Sequence, residues 1–104
     1  DERVKAVVDW LGRNYTLEEN PGMGSEGVYY YYHLMAKALK AQGVATLEGP
    51  EENKIEWRTE LKTKLLSLQK ADGSWQNPTK RWMEGDPNLT TAYVLVALVL
   101  TESE

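Results

Sequence analysis

Leu65-Leu66-Ser67-Leu68-Gln69-Lys70-Ala71-Asp72-Gly73-Ser74-Trp75 is the stretch whose reading decides the fold. It begins as a helix and must stop as one. Trp57, Leu61, Leu65 and Leu68 recur at helical spacing and line one face, while the opposite face is charged. Asp72-Gly73 then supplies turn chemistry, so the helix ends at Gln69. Gly73 is expected at positive φ, where a side chain would be resisted. Trp75 brings a large apolar body and one N–H donor, which suits packing against a neighbouring helix end. Gln69 carries both donors and acceptors for the unpaired backbone groups found at such an end.

Three more helices follow from the same rules. Val4, Val7, Val8, Leu11 and Tyr15 share one face of a first helix, about residues 2–15, and Asn20-Pro21-Gly22 breaks the chain after it. A second runs over about 25–42, with Ser25 as N-cap and Gly43 as left-handed C-cap followed by Val44. Its core face is read as Val28, Tyr31, Tyr32, Met35 and Leu39, with Tyr29 and Tyr30 pointing elsewhere. Glu51, Glu52 and Asn53 are expected to open the third helix, about 52–69. The fourth, about 87–101, has Asp86 as cap and Pro87 in its first turn. From Ala92 to Leu100 it is apolar on every side, which predicts burial all round; β-branched Val94, Val96 and Val99 make a strand the rival reading, against which the cap and the likeness to the second helix speak.

The order amphipathic, buried, amphipathic, buried describes an all-α chain of two αα-hairpin repeats with inner and outer helices. Residues 1–104 then form one domain, with one hairpin over about 1–45 and the other over about 51–104. Tyr32 to Leu39 matches Tyr93 to Leu100 loosely, a weak internal repeat of about 60 residues.

Gln69, a short spacer, Gly73, one residue and Trp75 together resemble the QW motif of squalene–hopene and oxidosqualene cyclases. Leu89-Thr90-Thr91-Ala92-Tyr93 looks like the inner helix that follows this motif. Tyr29 to His33, with Ala36 to Leu39, looks like another inner helix from bacterial proteins built of such repeats. The chain therefore resembles the terpenoid-cyclase and protein-prenyltransferase superfamily, most specifically over residues 57–100. The resemblance implies a partial α/α toroid, in which Gln69, Asp72, Gly73 and Trp75 form a structural clasp tying one hairpin to the next. It also implies aromatic lining of a cavity, for which Tyr29, Tyr30, Tyr32, His33 and Tyr93 are the candidates. Tyrosine as plain core filler is the competing reading of the same run.

The chemistry of that superfamily is not written in this chain. Its bacterial cyclases present a strong acid in Asp-x-Asp-Asp, and no such motif occurs here. Cysteine is absent and there is one histidine, so the prenyltransferase zinc set and any thiolate nucleophile are missing. Glu84 and Asp86 read as solvated loop acids rather than a glycosidase pair. His33 reads as a rim residue beside Lys37. No cofactor is implied. A net charge of −4 with interspersed signs argues against nucleic acid, and the longest apolar run is too short for a transmembrane segment. The expected role is a non-catalytic repeat module that packs against neighbouring repeats of a longer parent chain or binds an apolar or protein partner. The alternative is a segment of a terpenoid-cyclase-like enzyme whose catalytic acid lies outside this chain.

Overall fold

The computed structural model describes residues 2–79 and 81–102 and is mostly helical. Its main elements are α1 (Glu2–Arg13), α2 (Val28–Ala41), β1 (Leu47–Glu48), β2 (Lys54–Ile55), α3 (Trp57–Leu68) and α4 (Pro87–Thr101). The four helices fall where the apolar periodicities place them. Two ends follow local chemistry as read. Val44 N–H donates to the Leu39 carbonyl and Gly43 N–H to the Lys40 carbonyl, with Gly43 at φ +68°, a complete Schellman close for α2. The Asp86 carboxylate accepts from Asn88 N–H at 2.9 Å and caps α4.

Two other starts differ from expectation. Ser25 does not cap α2: that helix opens after Gly27, which is left-handed at φ +65°, and the Ser25 hydroxyl pairs instead with Thr79 at 2.6 Å. Glu51 to Asn53 do not open α3 either. They form the tip of a short antiparallel ribbon in which Leu47 pairs with Ile55 and Glu48 with Lys54. Glu51 and Glu52 lie at φ +58° and +62°, and α3 begins only at Trp57. Leu47 and Ile55 bury their side chains in the core, which outweighs the helix propensity of the two glutamates.

The core is built by α2, α3 and α4. Tyr32, Met35, Ala36, Leu39, Leu47, Trp57, Leu61, Leu65, Trp75, Val94 and Ala97 are all buried in one cluster. α2 packs chiefly on α4, and α3 also packs on α4. Trp57, at the start of α3, donates its indole N–H to the Val44 carbonyl just past the end of α2. At the far end of α3, the Trp75 indole reaches the Leu65 carbonyl and its backbone N–H reaches Thr91 of α4. α3 is thus antiparallel to both neighbours, and α2 and α4 run in the same sense with their N-termini together.

The tyrosine run divides its labour differently from the reading above. Tyr29 is in the core, edge-on to Tyr32 at 5.8 Å. Tyr31 is half-buried and donates to the Thr16 carbonyl at 3.2 Å, while the Tyr32 hydroxyl donates to the Leu17 carbonyl. These two hydroxyls pin segment 15–18, which Tyr15–Glu60 (2.7 Å) and Lys64–Glu18 (3.1 Å) fasten to α3 from outside. Burial beside the Glu60 carboxylate raises the Tyr15 pKa, so this phenol stays a donor across the physiological range.

α1 and α4 are both less covered than expected. Val4, Val7 and Trp10 of α1 are exposed, because the helix crosses past the end of α2 and rests mainly on β1. Its closest approach is at Gly12. A Cβ built there would lie 2.1 Å from the Glu48 carbonyl oxygen. Gly12→Ala is therefore expected to lift α1 from the ribbon at a cost of about 1–3 kcal/mol, the usual penalty of overpacking. An unchanged urea midpoint for this variant would show that α1 contributes nothing to the cooperative unit. α4 buries Thr90, Val94, Ala97 and Thr101, but Leu95, Val96 and Val99 face outward at 55%, 43% and 70% exposure. Burial all round does not hold, because the described chain supplies layers on only part of its circumference.

Candidate functional site

The turn after α3 is a closed local unit. Gly73 sits at φ +94°. Its N–H donates to the Lys70 carbonyl at 2.9 Å, and Lys70 N–H donates back to the Ser74 carbonyl at 2.8 Å. Asp72 accepts from both the backbone N–H and the hydroxyl of Ser74, at 3.0 and 2.7 Å. Those two bonds lower the Asp72 pKa. The exposed Gln69 amide donates to the Gly73 carbonyl at 2.9 Å. Trp75, 2% exposed, makes the long-range contacts. Beyond its bonds to Leu65 and Thr91, its carbonyl accepts from the Thr90 hydroxyl. Gln69, Asp72 and Gly73 thus shape the turn, and Trp75 joins α3 to α4 within one helical pair.

The second feature joins the two helix N-termini. Glu84 is fully buried, not a solvated loop acid. Its carboxylate accepts from the backbone N–H groups of Tyr29 (3.0 Å) and Tyr30 (2.7 Å), in the first turn of α2, and from the Asn77 amide (3.0 Å). Asn77 in turn donates to the Ser25 carbonyl at 2.7 Å, and its N–H donates to the Glu84 carbonyl at 2.8 Å. A carboxylate from 55 residues away therefore caps α2, satisfying two orphan donors and facing the positive end of the helix. Asp86 remains a local cap, so the two acids have separate structural partners rather than one shared site.

The backbone that delivers Glu84 inward sends its neighbours outward. Trp82 and Met83 lie consecutively at φ +61° and +62°, a conformation that costs a non-glycine residue roughly 1–2 kcal/mol. Trp82 is 57% exposed and Met83 is also exposed. With Met23, Gly27, Tyr30, Tyr93 and Asn20 they line a cavity of about 560 Å³. A Cβ on Gly27 would come within 3.0 Å of the Trp82 ring, so the glycine is what lets the indole lie there. Tyr30 and Tyr93 stand 5.4 Å apart between centroids, tilted by 52°. His33 packs behind them, 6.2 Å from Tyr30 and 5.3 Å from Tyr93. Burial, then the charge of Lys37, lowers the His33 pKa, which favours the neutral imidazole.

Of the candidate lining residues, Tyr30 and Tyr93 reach the cavity and His33 supports them. Tyr29 and Tyr32 are core residues instead. The sequence marks Trp82 only as a tryptophan in a charged loop between Arg81 and Glu84, and its place in the wall, with Met83 and Met23, is not read from it. Their signal was available: large apolar side chains standing in loops that carry neither helical nor strand period. Among the described residues no cluster of His, Asp or Glu could hold a metal ion, and no helix is long and apolar enough to cross a membrane. A scan against protein-family models finds no match, and searches of curated proteins and of solved structures find none either.

Proposed function

We propose that this chain is a non-catalytic helical module that packs against neighbouring repeats of a longer parent chain or binds an apolar or protein partner, through the face shared by α2 and α4. The observation that carries this reading is the cavity walled by Tyr30, Tyr93, Trp82, Met83 and Met23, with no ionised side chain in its lining. Aromatic walls supply rigid apolar area, and methionines supply an adaptable rim. Left-handed backbone at two consecutive non-glycine residues concentrates at binding clamps and switch regions, and here it holds the wall itself. Tyr93 continues along α4 into Val96 and Val99, and Tyr30 along α2 into Leu34, so the cavity opens onto a longer apolar surface. Contiguous exposed apolar area of this kind marks interaction sites.

The resemblance of Gln69 to Trp75 to the QW motif supports membership of a toroid repeat. The aromatic lining lends weight to the second reading, a segment of a cyclase-like enzyme. An Asp-x-Asp-Asp motif elsewhere in a parent chain would favour that enzyme.

Titration with anilinonaphthalene sulfonate, an apolar fluorescent probe, tests the binding surface. Saturable enhancement is expected, weakened about tenfold in Trp82→Ala, a loss of roughly 1.4 kcal/mol. Equal enhancement by wild type and Trp82→Ala, with both folded by circular dichroism, would remove the cavity from consideration.

A further inference from the structure

We propose that the cavity walled by Tyr30, Tyr93 and Trp82 binds a trimethylammonium group, the methyl-covered permanent cation that choline carries. This rests on the reading of that cavity as a binding site and names the chemistry of its occupant. Three aromatic side chains from three parts of the chain border it: Tyr30 from the start of α2, Tyr93 from the second turn of α4, and Trp82 from the loop between α3 and α4. The faces of such rings are electron-rich and attract a cation held within about 6 Å.

Rings alone would take a neutral ligand as readily, and the charge behind them selects a cation. Glu84 directly follows Met83, is fully buried, and accepts from the N–H of Tyr30, so its carboxylate stands at the backbone of two wall residues. Both of its oxygens accept N–H donors, as an ionised carboxylate does. Those donors are two backbone amides and the Asn77 side chain, all neutral. Among the described residues no basic side chain forms an ion pair with Glu84. The positive end of α2 offsets part of this charge. Buried charges are ordinarily paired, and their fields reach further where water is scarce. A cation in the cavity supplies the missing partner across the wall, and a net charge of −4 on the chain adds to the attraction.

The lining also chooses among cations. Among the described residues it holds no carboxylate, and the Asn20 amide nitrogen is turned to the Glu26 carbonyl at 3.0 Å and the Met23 sulfur at 3.6 Å. A primary ammonium or a guanidinium would bring N–H donors that need acceptors there. A trimethylammonium group has no N–H to satisfy and presents methyls to the rings and methionines.

NMR titration with choline and with its neutral isostere, a tert-butyl group in place of trimethylammonium, isolates the charge. Choline is expected to bind with a dissociation constant on the order of 1 mM, about tenfold more tightly than the isostere. Trp82→Leu keeps apolar bulk but removes a ring face, so it should weaken choline about fivefold and leave the isostere nearly unchanged. Equal affinity for the two ligands, or a choline preference untouched by Trp82→Leu, overturns the proposal. In either case, dye enhancement that is lost in Trp82→Ala leaves the binding-module reading standing. Phosphatidylcholine vesicles distinguish the source of the group. Vesicle binding that choline reverses assigns a lipid headgroup, and choline binding without vesicle binding assigns a small soluble molecule; both uphold the cation.

Discussion

Glu84→Ala is expected to destabilise this protein by about 3–5 kcal/mol, a large share of the roughly 5–15 kcal/mol available to a domain of this size. Removing the buried carboxylate takes the acceptor from the Tyr29 and Tyr30 N–H groups and from one N–H of the Asn77 amide, whose other N–H keeps the Ser25 carbonyl. Each unsatisfied buried donor costs about 1–3 kcal/mol, reduced by whatever relaxation lets water in. Glu84→Gln keeps one carbonyl oxygen but sets an amide NH2 donor against an N–H donor, so an intermediate loss of about 1–3 kcal/mol is expected. Asp86→Ala removes only an exposed local cap and should cost about 1 kcal/mol. Urea denaturation followed by circular dichroism ranks the three. A loss at Asp86 equal to that at Glu84 would mean that the buried carboxylate does not organise the start of α2.

Trp75→Ala is expected to cost about 3–5 kcal/mol, the range for deleting a buried aromatic. The indole fills the junction of α3 and α4 and takes the Leu65 carbonyl as acceptor at 2.8 Å, so truncation leaves both a cavity and an unpaired carbonyl. Trp82→Ala removes a ring that is 57% exposed and should cost about 1 kcal/mol or less. It also removes part of a binding wall, so stability and probe affinity should separate: Trp75→Ala loses the first, Trp82→Ala the second. Equal urea midpoints for the two variants would show that the turn after α3 does not clasp the helices.

Local patterns were sufficient for the parts of this fold that local chemistry controls. Helical spacing at Trp57, Leu61 and Leu65 located α3, Asp72-Gly73 ended it, Gly43 closed α2, and Asp86-Pro87 opened α4. In each case the bonding partners lie within a few residues, so the sequence contains the whole interaction. The burial of Trp75 was legible for a related reason: a large indole two residues past a tight turn has a helix end within reach.

Tertiary structure decided the rest. Glu84 reads like any loop acid until the fold carries it to the start of α2, 54 and 55 residues away, where it displaces Ser25 from the capping role. The 47–55 ribbon exists because Leu47 and Ile55 find the core, a gain invisible to the helix propensity of the intervening glutamates. Which sides of α1 and α4 stay open depends on how many layers the chain provides, and periodicity reports an apolar face without saying what covers it. The cavity of Tyr30, Trp82, Met83 and Tyr93 likewise depends on two loops meeting two helix starts. The sequence by itself determined the helices and their ends, because those energies are local. The buried cap, the ribbon, the cavity and the open faces are sums over distant residues, and only the folded chain adds them up.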